Sequence, residues 1–207
     1  KGSFKFSRPI RWIVSLYNDE ILDFVFEACD PKVSIGNKSK SHRLINKIIE
    51  INSPDNYFEL MAKSGVLVKR EERKEEIVNL INDASKLVKL KPDLSDVLLN
   101  ELTDLVEYPN LITGNFDKQF LDLPVEVLST VMKSHQRYIP LMKNCKTFSK
   151  LELSSEKFIS TNFFLLSNGL RESNNIIAKG NEKVLKARFS DANFFVESDK
   201  KVSSKKR

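Results

Sequence analysis

Four consecutive side chains, His135-Gln136-Arg137-Tyr138, bring an imidazole, a carboxamide, a guanidinium and a phenol to the end of a short amphipathic stretch, Leu123 to Pro140. Groups of these types can hydrogen-bond a phosphate, a ribose or a base, and the flat ones can stack on it. They can equally form a partner interface, or a buried polar network at a helix end, where a cation favours the negative pole of the helix dipole. Residue types alone leave the three readings open. Lys179, Lys183 and Lys186 fall at i, i+4 and i+7, with Arg188 nearby, and share a helix face if the helix continues through Gly180. Such a row can follow a phosphate backbone or be a solvated lysine face. Arg8 and Arg11 flank Pro9 just ahead of Trp12, and His42-Arg43 follow a Lys/Ser loop. These four can line a phosphate-facing edge, or make structural ion pairs and stacking contacts.

Other suggestive spacings have plainer explanations. Cys145 lies ten residues from His135, but closeness in sequence does not make a thiol–imidazole pair, and no orienting motif accompanies them. Lys69 to Glu76, KREERKEE, sets opposite charges at helical spacing and reads as a solvated helix face. The chain contains no GxxxxGK[ST], GxGxxG, HExxH or nucleophile-elbow pattern, so neither a catalytic residue nor a metal ligand is assigned.

A length of 207 residues with 41% hydrophobic and 30% charged content suits one large or two small globular domains. The net charge of +6 is unevenly placed: residues 200–207, KKVSSKKR, hold five of the six, leaving +1 on the other 199. This tail is expected to be disordered, and any basic surface on the body must come from local arrangement. The longest apolar runs fall short of the ~20 residues a membrane span needs, KGSFKFSRP has no apolar signal core, and two cysteines make no disulfide framework. No membrane partner and a cytoplasmic location are expected.

The elements that must position these groups can be read from periodicity and breakers. A hairpin is expected over Ile10 to Ala28 around Asn18-Asp19, a loop over Pro31 to Lys40, and over Arg43 to Ile51 a strand in preference to a helix, though the spacing suits either. Ser53-Pro54-Asp55 opens a helix that ends at Gly65, with the Ser53 side chain as cap. Arg70 to Leu90 is a long amphipathic helix, and Ser95 opens another whose apolar stripe holds Val97, Leu98, Leu102, Leu105 and Val106. Pro124 takes the first helical position ahead of Val127, Leu128, Val131 and Met132, and the chain is extended from Arg137 to Leu141. Asn144 to Glu156 reads as a polar connector, Phe158 to Leu166 as a strand turning at Ser167-Asn168-Gly169, and Arg171 to Glu197 as the last helix. The expected fold is α+β: a β-rich portion, residues 1–52, then residues 53–199 with helices packed on a mixed or antiparallel sheet, possible as one domain with the first, and the basic tail at 200–207.

Several of these stretches carry a family resemblance. FSRPIRW, SHR, EERKEEI, LTDLVEYP, FLDLPVEVLSTVMKSHQRYIP, SNG and KGNEKVLKARFSDANFFVESDKK occur in this order, and together they resemble the β subunit of bacterial-type glycyl-tRNA synthetase. Leu44 and Ser41 depart from the aromatic and the glycine usual there. The resemblance implies a segment that supports ATP-dependent attachment of glycine to tRNA(Gly) by docking on the α subunit, contacting tRNA, or both. It also implies that the catalytic core lies in the α subunit, that the HD-type and anticodon-binding regions of the longer β subunit are absent here, and that ATP with Mg is used by the whole enzyme while this segment binds no cofactor. The residues expected to contact tRNA or a subunit are His135, Gln136, Arg137, Tyr138, Lys179, Asn181, Lys183, Lys186, Arg188, Arg8, Arg11, His42 and Arg43. A stand-alone RNA-binding module and a structural scaffold are the alternatives.

Overall fold

Residues 9–22, 24–26, 32–143 and 155–204 are described by a computed structural model. Arg8, both cysteines, residues 144–154 of the polar connector and the last three residues of the tail lie outside them. The chain divides into two compact units, residues 1–73 and 74–207, and the secondary structure is α+β as expected.

In the first unit the strands are short: β1 (Ile13–Val14), β2 (Leu16–Tyr17), β3 (Glu20–Ile21), β4 (Val25–Phe26), β5 (Val33–Gly36), β6 (Lys38–Lys40) and β7 (Ile48–Glu50). The expected hairpin is β2 against β3, pairing Leu16 with Ile21 and Tyr17 with Glu20, and Asn18 adopts the left-handed backbone such a turn needs, with φ 52°. The loop expected over Pro31 to Lys40 is instead two strands. β5 pairs parallel with β1 and antiparallel with β4, and β6 pairs antiparallel with β7. The physical reason is a period of two within a polar stretch: Val33, Ile35 and Ser39 are buried while Lys38 and Lys40 face out. Of Arg43 to Ile51 only Ile48–Glu50 is strand, because the chain turns over residues 43–45 and Asn46 is left-handed. The Ser53 side chain does not cap. Its backbone carbonyl accepts from Asn56 N at 3.2 Å, closing a 3-10 turn, Pro54–Asn56, before α1 (Tyr57–Lys63). The helix stops where expected, at Gly65, whose φ is 80°.

The second unit is a layered packing around an antiparallel sheet of order β8 (Lys91–Pro92), β10 (Ile139–Met142), β11 (Ile159–Ser167), β9 (Asn110–Asn115). α2 (Arg70–Val88, belonging here from Lys74) and α3 (Asp96–Leu105) cover one face, and α4 (Val125–Thr130) and α5 (Asn174–Ser204) the other. Alternation along β11 decides the layers: Phe164 meets Ile77, Ile81, Leu98 and Leu102, whereas Ile159, Phe163 and Leu165 meet Leu128, Met132, Leu185 and Phe189. Ser95 caps α3 by accepting from Leu98 N at 3.2 Å. Two residues of the expected α3 stripe, Val97 and Leu105, are exposed, because the buried face centres on Leu98, Leu99 and Leu102. α5 is continuous through Gly180 and runs on to Ser204, into the segment set apart as a tail. Among the described residues no helix is long and apolar enough to cross a membrane.

Phe163, fully buried, lies against Gly114, its partner across β9 and β11. A Cβ on Gly114 would sit 2.5 Å from Phe163 Cζ, at the tip of a ring that also stacks on Tyr138 at 4.9 Å between centroids. Gly114→Ala is expected to lower unfolding free energy by about 1–3 kcal/mol, read as a lower denaturant midpoint. Gly36→Ala, where an added Cβ meets nothing within 4 Å, should stay near the parent.

Candidate functional site

α4 does not end as an ordinary α-helix. Its last turn, Val131–Gln136, widens into a π-helical turn, and Arg137 closes it in the left-handed conformation, φ 56° and ψ 35°. A non-glycine residue there costs about 1–2 kcal/mol, so the surroundings must hold it. Arg137 N donates to Lys133 O at 3.2 Å and Tyr138 N to Met132 O at 2.9 Å, satisfying carbonyls that the widened turn leaves open. Asp93 secures the same segment from beside β10. Its N–H donates to Pro140 O at 2.8 Å, and its carboxylate accepts from Lys133 Nζ at 2.7 Å and Ser129 Oγ at 3.0 Å.

The sharp turn at Arg137 sends Tyr138 inward. Its ring stacks on Phe163, interplanar angle 22°, and its hydroxyl donates to Asn181 Oδ1 at 2.6 Å. Asn181 Nδ2 donates in turn to Ile177 O at 2.7 Å, which fixes the amide's direction. Burial pushes the Tyr138 phenol up to about 12, so at neutral pH it is a neutral hydrogen-bond donor. Arg137 turns outward, where its Nε donates to Glu101 Oε2 at 3.0 Å with both side chains nearly half exposed; such a pair contributes about 0–1 kcal/mol. Gln136 is half-buried and His135 exposed.

Between this turn, α3, β11 and α5 lies an open pocket of about 280 Å³. Leu102, Leu105, Leu165, Leu166 and Ile177 supply its apolar wall, and Gln136, Arg137, Tyr138, Ser167 and Asn181 its polar rim. Of the residues marked from sequence, the fold thus gathers Gln136, Arg137, Tyr138 and Asn181 at one place. Lys179, Lys183 and Lys186 are exposed on α5, but at about 100° per residue they lie on the side opposite Asn181, whereas Arg188, seven residues on, shares Asn181's side.

Arg11, His42 and Arg43 belong to the first unit. Arg11 and Arg43 are exposed. His42 is buried and shapes its turn: Nδ1 accepts from Leu44 N at 3.3 Å, and the His42 backbone N–H donates to Ser64 O at 2.9 Å. Trp12 does not pair with Arg11; Lys40 Nζ sits over its ring at 5.2 Å and its Nε1 donates to Ser39 Oγ at 3.3 Å. Sequence reading missed Asp93, Glu101 and Asn110, the last buried and donating to Gly169 O at 3.1 Å and Asn174 Oδ1 at 2.7 Å. Their partners are 36 to 64 residues away, so no local signal marks them.

The fold and the site define an α+β protein with a small open pocket of apolar wall and polar rim. The family described as glycyl-tRNA synthetase beta subunit matches residues 1–207. The glycine–tRNA ligase beta subunit of Trichodesmium erythraeum is 43% identical over 199 residues, 96% of this chain and 27% of its own. That of Listeria monocytogenes is 38% identical over 202 residues, 98% of this chain and 27% of its own, and that of Halothermothrix orenii 37% over 206 residues, 99% and 28%. The chain belongs to the glycyl-tRNA synthetase beta subunit family, a component class of the aminoacyl-tRNA synthetases, and spans about 27% of the length of the relatives it matches.

The Tyr138 environment is testable by pH. An unfolded phenol titrates near 10 and this one near 12, so the neutral form stabilises the fold. That contribution is complete below pH 10 and is lost as pH rises from 10 through about 12. Tyr138→Phe is expected to cost about 1 kcal/mol at pH 7 through the lost hydrogen bond, and to flatten the alkaline limb relative to the parent when denaturant midpoints are compared from pH 7 to 11.5.

Proposed function

We propose that this chain acts as a segment of the beta subunit of a glycine–tRNA ligase, supporting ATP-dependent attachment of glycine to tRNA(Gly) while the catalytic centre is supplied by the alpha subunit. The observation that carries the reading is the family match along all 207 residues, with relatives named as beta subunits at 37–43% identity. ATP with Mg is used by the whole enzyme in the cytoplasm, and this segment contributes by docking on the alpha subunit, contacting tRNA, or both.

Gln136, Arg137 and Asn181 form the contact group around the pocket, with His135 on its exposed flank and Tyr138 holding Asn181 in place. Lys179, Lys183 and Lys186 form a second, solvent-facing row, with Arg188 on the pocket side of α5. Arg8, Arg11 and Arg43 serve as contacts from the first unit, where His42 orders the turn that carries Arg43. A scaffold role alone is less favoured, since a strained left-handed arginine beside an open pocket is costly to keep for packing.

The test mixes the purified chain with ATP, Mg, glycine and tRNA(Gly), with and without an alpha subunit. The chain alone should yield no glycyl-tRNA and should bind the alpha subunit or tRNA(Gly) above an unrelated protein or RNA, read by gel filtration and filter binding. Charging by the chain alone, or binding to neither, overturns the reading.

A further inference from the structure

We propose that the pocket beside Gln136 and Ser167 receives a single unpaired nucleobase. The inference rests on the tRNA-contact reading only for the source of that base; the chemistry is the pocket's own. A volume of about 280 Å³ lies just below the range of drug-sized ligand sites, roughly 300 to 1,000 Å³, so it suits one flat ring system. Leu102 and Leu165 are buried at its back, and Leu105 stands 58% exposed at its lip, offering apolar contact to a ring face.

The rim selects among flat ligands. Arg137 is paired with Glu101, so the mouth carries no unbalanced cation and does not favour a phosphate or carboxylate inside. Tyr138 and Asn181 satisfy each other and hold one wall in place. The Gln136 carboxamide, half-buried, makes no hydrogen bond among the described residues. Ser167 Oγ accepts from Gly169 N at 2.8 Å, which leaves its proton to donate. The open groups are therefore an amide donor beside an amide acceptor, a hydroxyl donor and the remaining Arg137 N–H groups. A carboxamide reads the edge of a base in this paired way, as glutamine does with adenine, and unpaired bases are taken by apolar contact plus edge hydrogen bonds. An aliphatic or aromatic side chain of a protein partner would cover the leucines and leave the Gln136 amide and the Ser167 proton unmatched, which costs affinity once water is excluded.

The experiment uses the isotope-labelled 207-residue chain and four probes, adenosine, guanosine, cytidine and uridine, added separately while the side-chain amide signals of Gln136 and Asn181 are followed by NMR. At least one nucleoside should move both saturably. Gln136→Ala should weaken that binding about tenfold, the size expected for one paired amide–base contact, read at Asn181. Leu105→Trp, at an exposed position, should block entry while the spectrum stays folded. If no nucleoside moves these signals, or if N-acetyl-leucinamide or N-acetyl-phenylalaninamide does so and nucleosides do not, the assignment is overturned. A chain that binds the alpha subunit yet no nucleoside loses this assignment alone. One that binds a nucleoside but neither the alpha subunit nor tRNA(Gly) loses the functional reading alone.

Discussion

The second unit depends on the burial of Phe163 in the middle of β11, with the Tyr138 ring stacked on it and the bare backbone of Gly114 alongside. A ring of this size, fully withdrawn from water, is among the largest apolar contributions a single residue makes, and a stacked neighbour adds roughly 0.5–1.5 kcal/mol. It sets the order of the layers. With Phe163 facing α4 and α5, its neighbour Phe164 must face α2 and α3, so one strand fills both cores. The same contact draws Tyr138 off the surface, and with it the backbone that leads out of the polar cluster.

The end of α4 is a compromise between that pull and local backbone preference. Ile139 must enter β10 opposite Phe164, which leaves too few residues for an ordinary helix terminus after Met132, itself fully buried. The turn widens and Arg137 takes a left-handed conformation. The offsetting contacts are the Asp93 carboxylate, shared by Lys133 and Ser129, and the backbone bonds from Arg137 and Tyr138. The exposed Arg137–Glu101 pair adds little to stability and matters more for the charge it removes from the pocket mouth.

α5 separates two kinds of surface. Its inward side holds Leu185 and Phe189 in the core and sets Asn181 against Tyr138, while its outward side carries the lysine row. A nearly balanced body charge outside residues 200–207 means that attraction to RNA would come from such local rows, whereas selection would come from the near-neutral pocket on the other side.

Local signals written over a few residues were readable directly. The charged periodicity of α2, the Ser95 cap, the β-branched and aromatic run of β11, the Ser167-Asn168-Gly169 turn and the apolar line of α5 each arise from hydrogen bonds or side-chain spacing within one element. The family itself was also readable, since long blocks such as FLDLPVEVLSTVMKSHQRYIP keep their order. β5 and β6 were hidden because their period of two runs through polar residues, and Ser53 because its carbonyl took the role expected of its hydroxyl. Tertiary structure alone decided that the four-residue cluster splits, Tyr138 going in and Arg137 out, and that Asn181 and Ser167 complete a pocket with Gln136. Arg137 meets Glu101 36 residues away and Tyr138 meets Asn181 43 residues away, and contacts at such range exist only after burial of the core has offset the entropy of closing the loops between them.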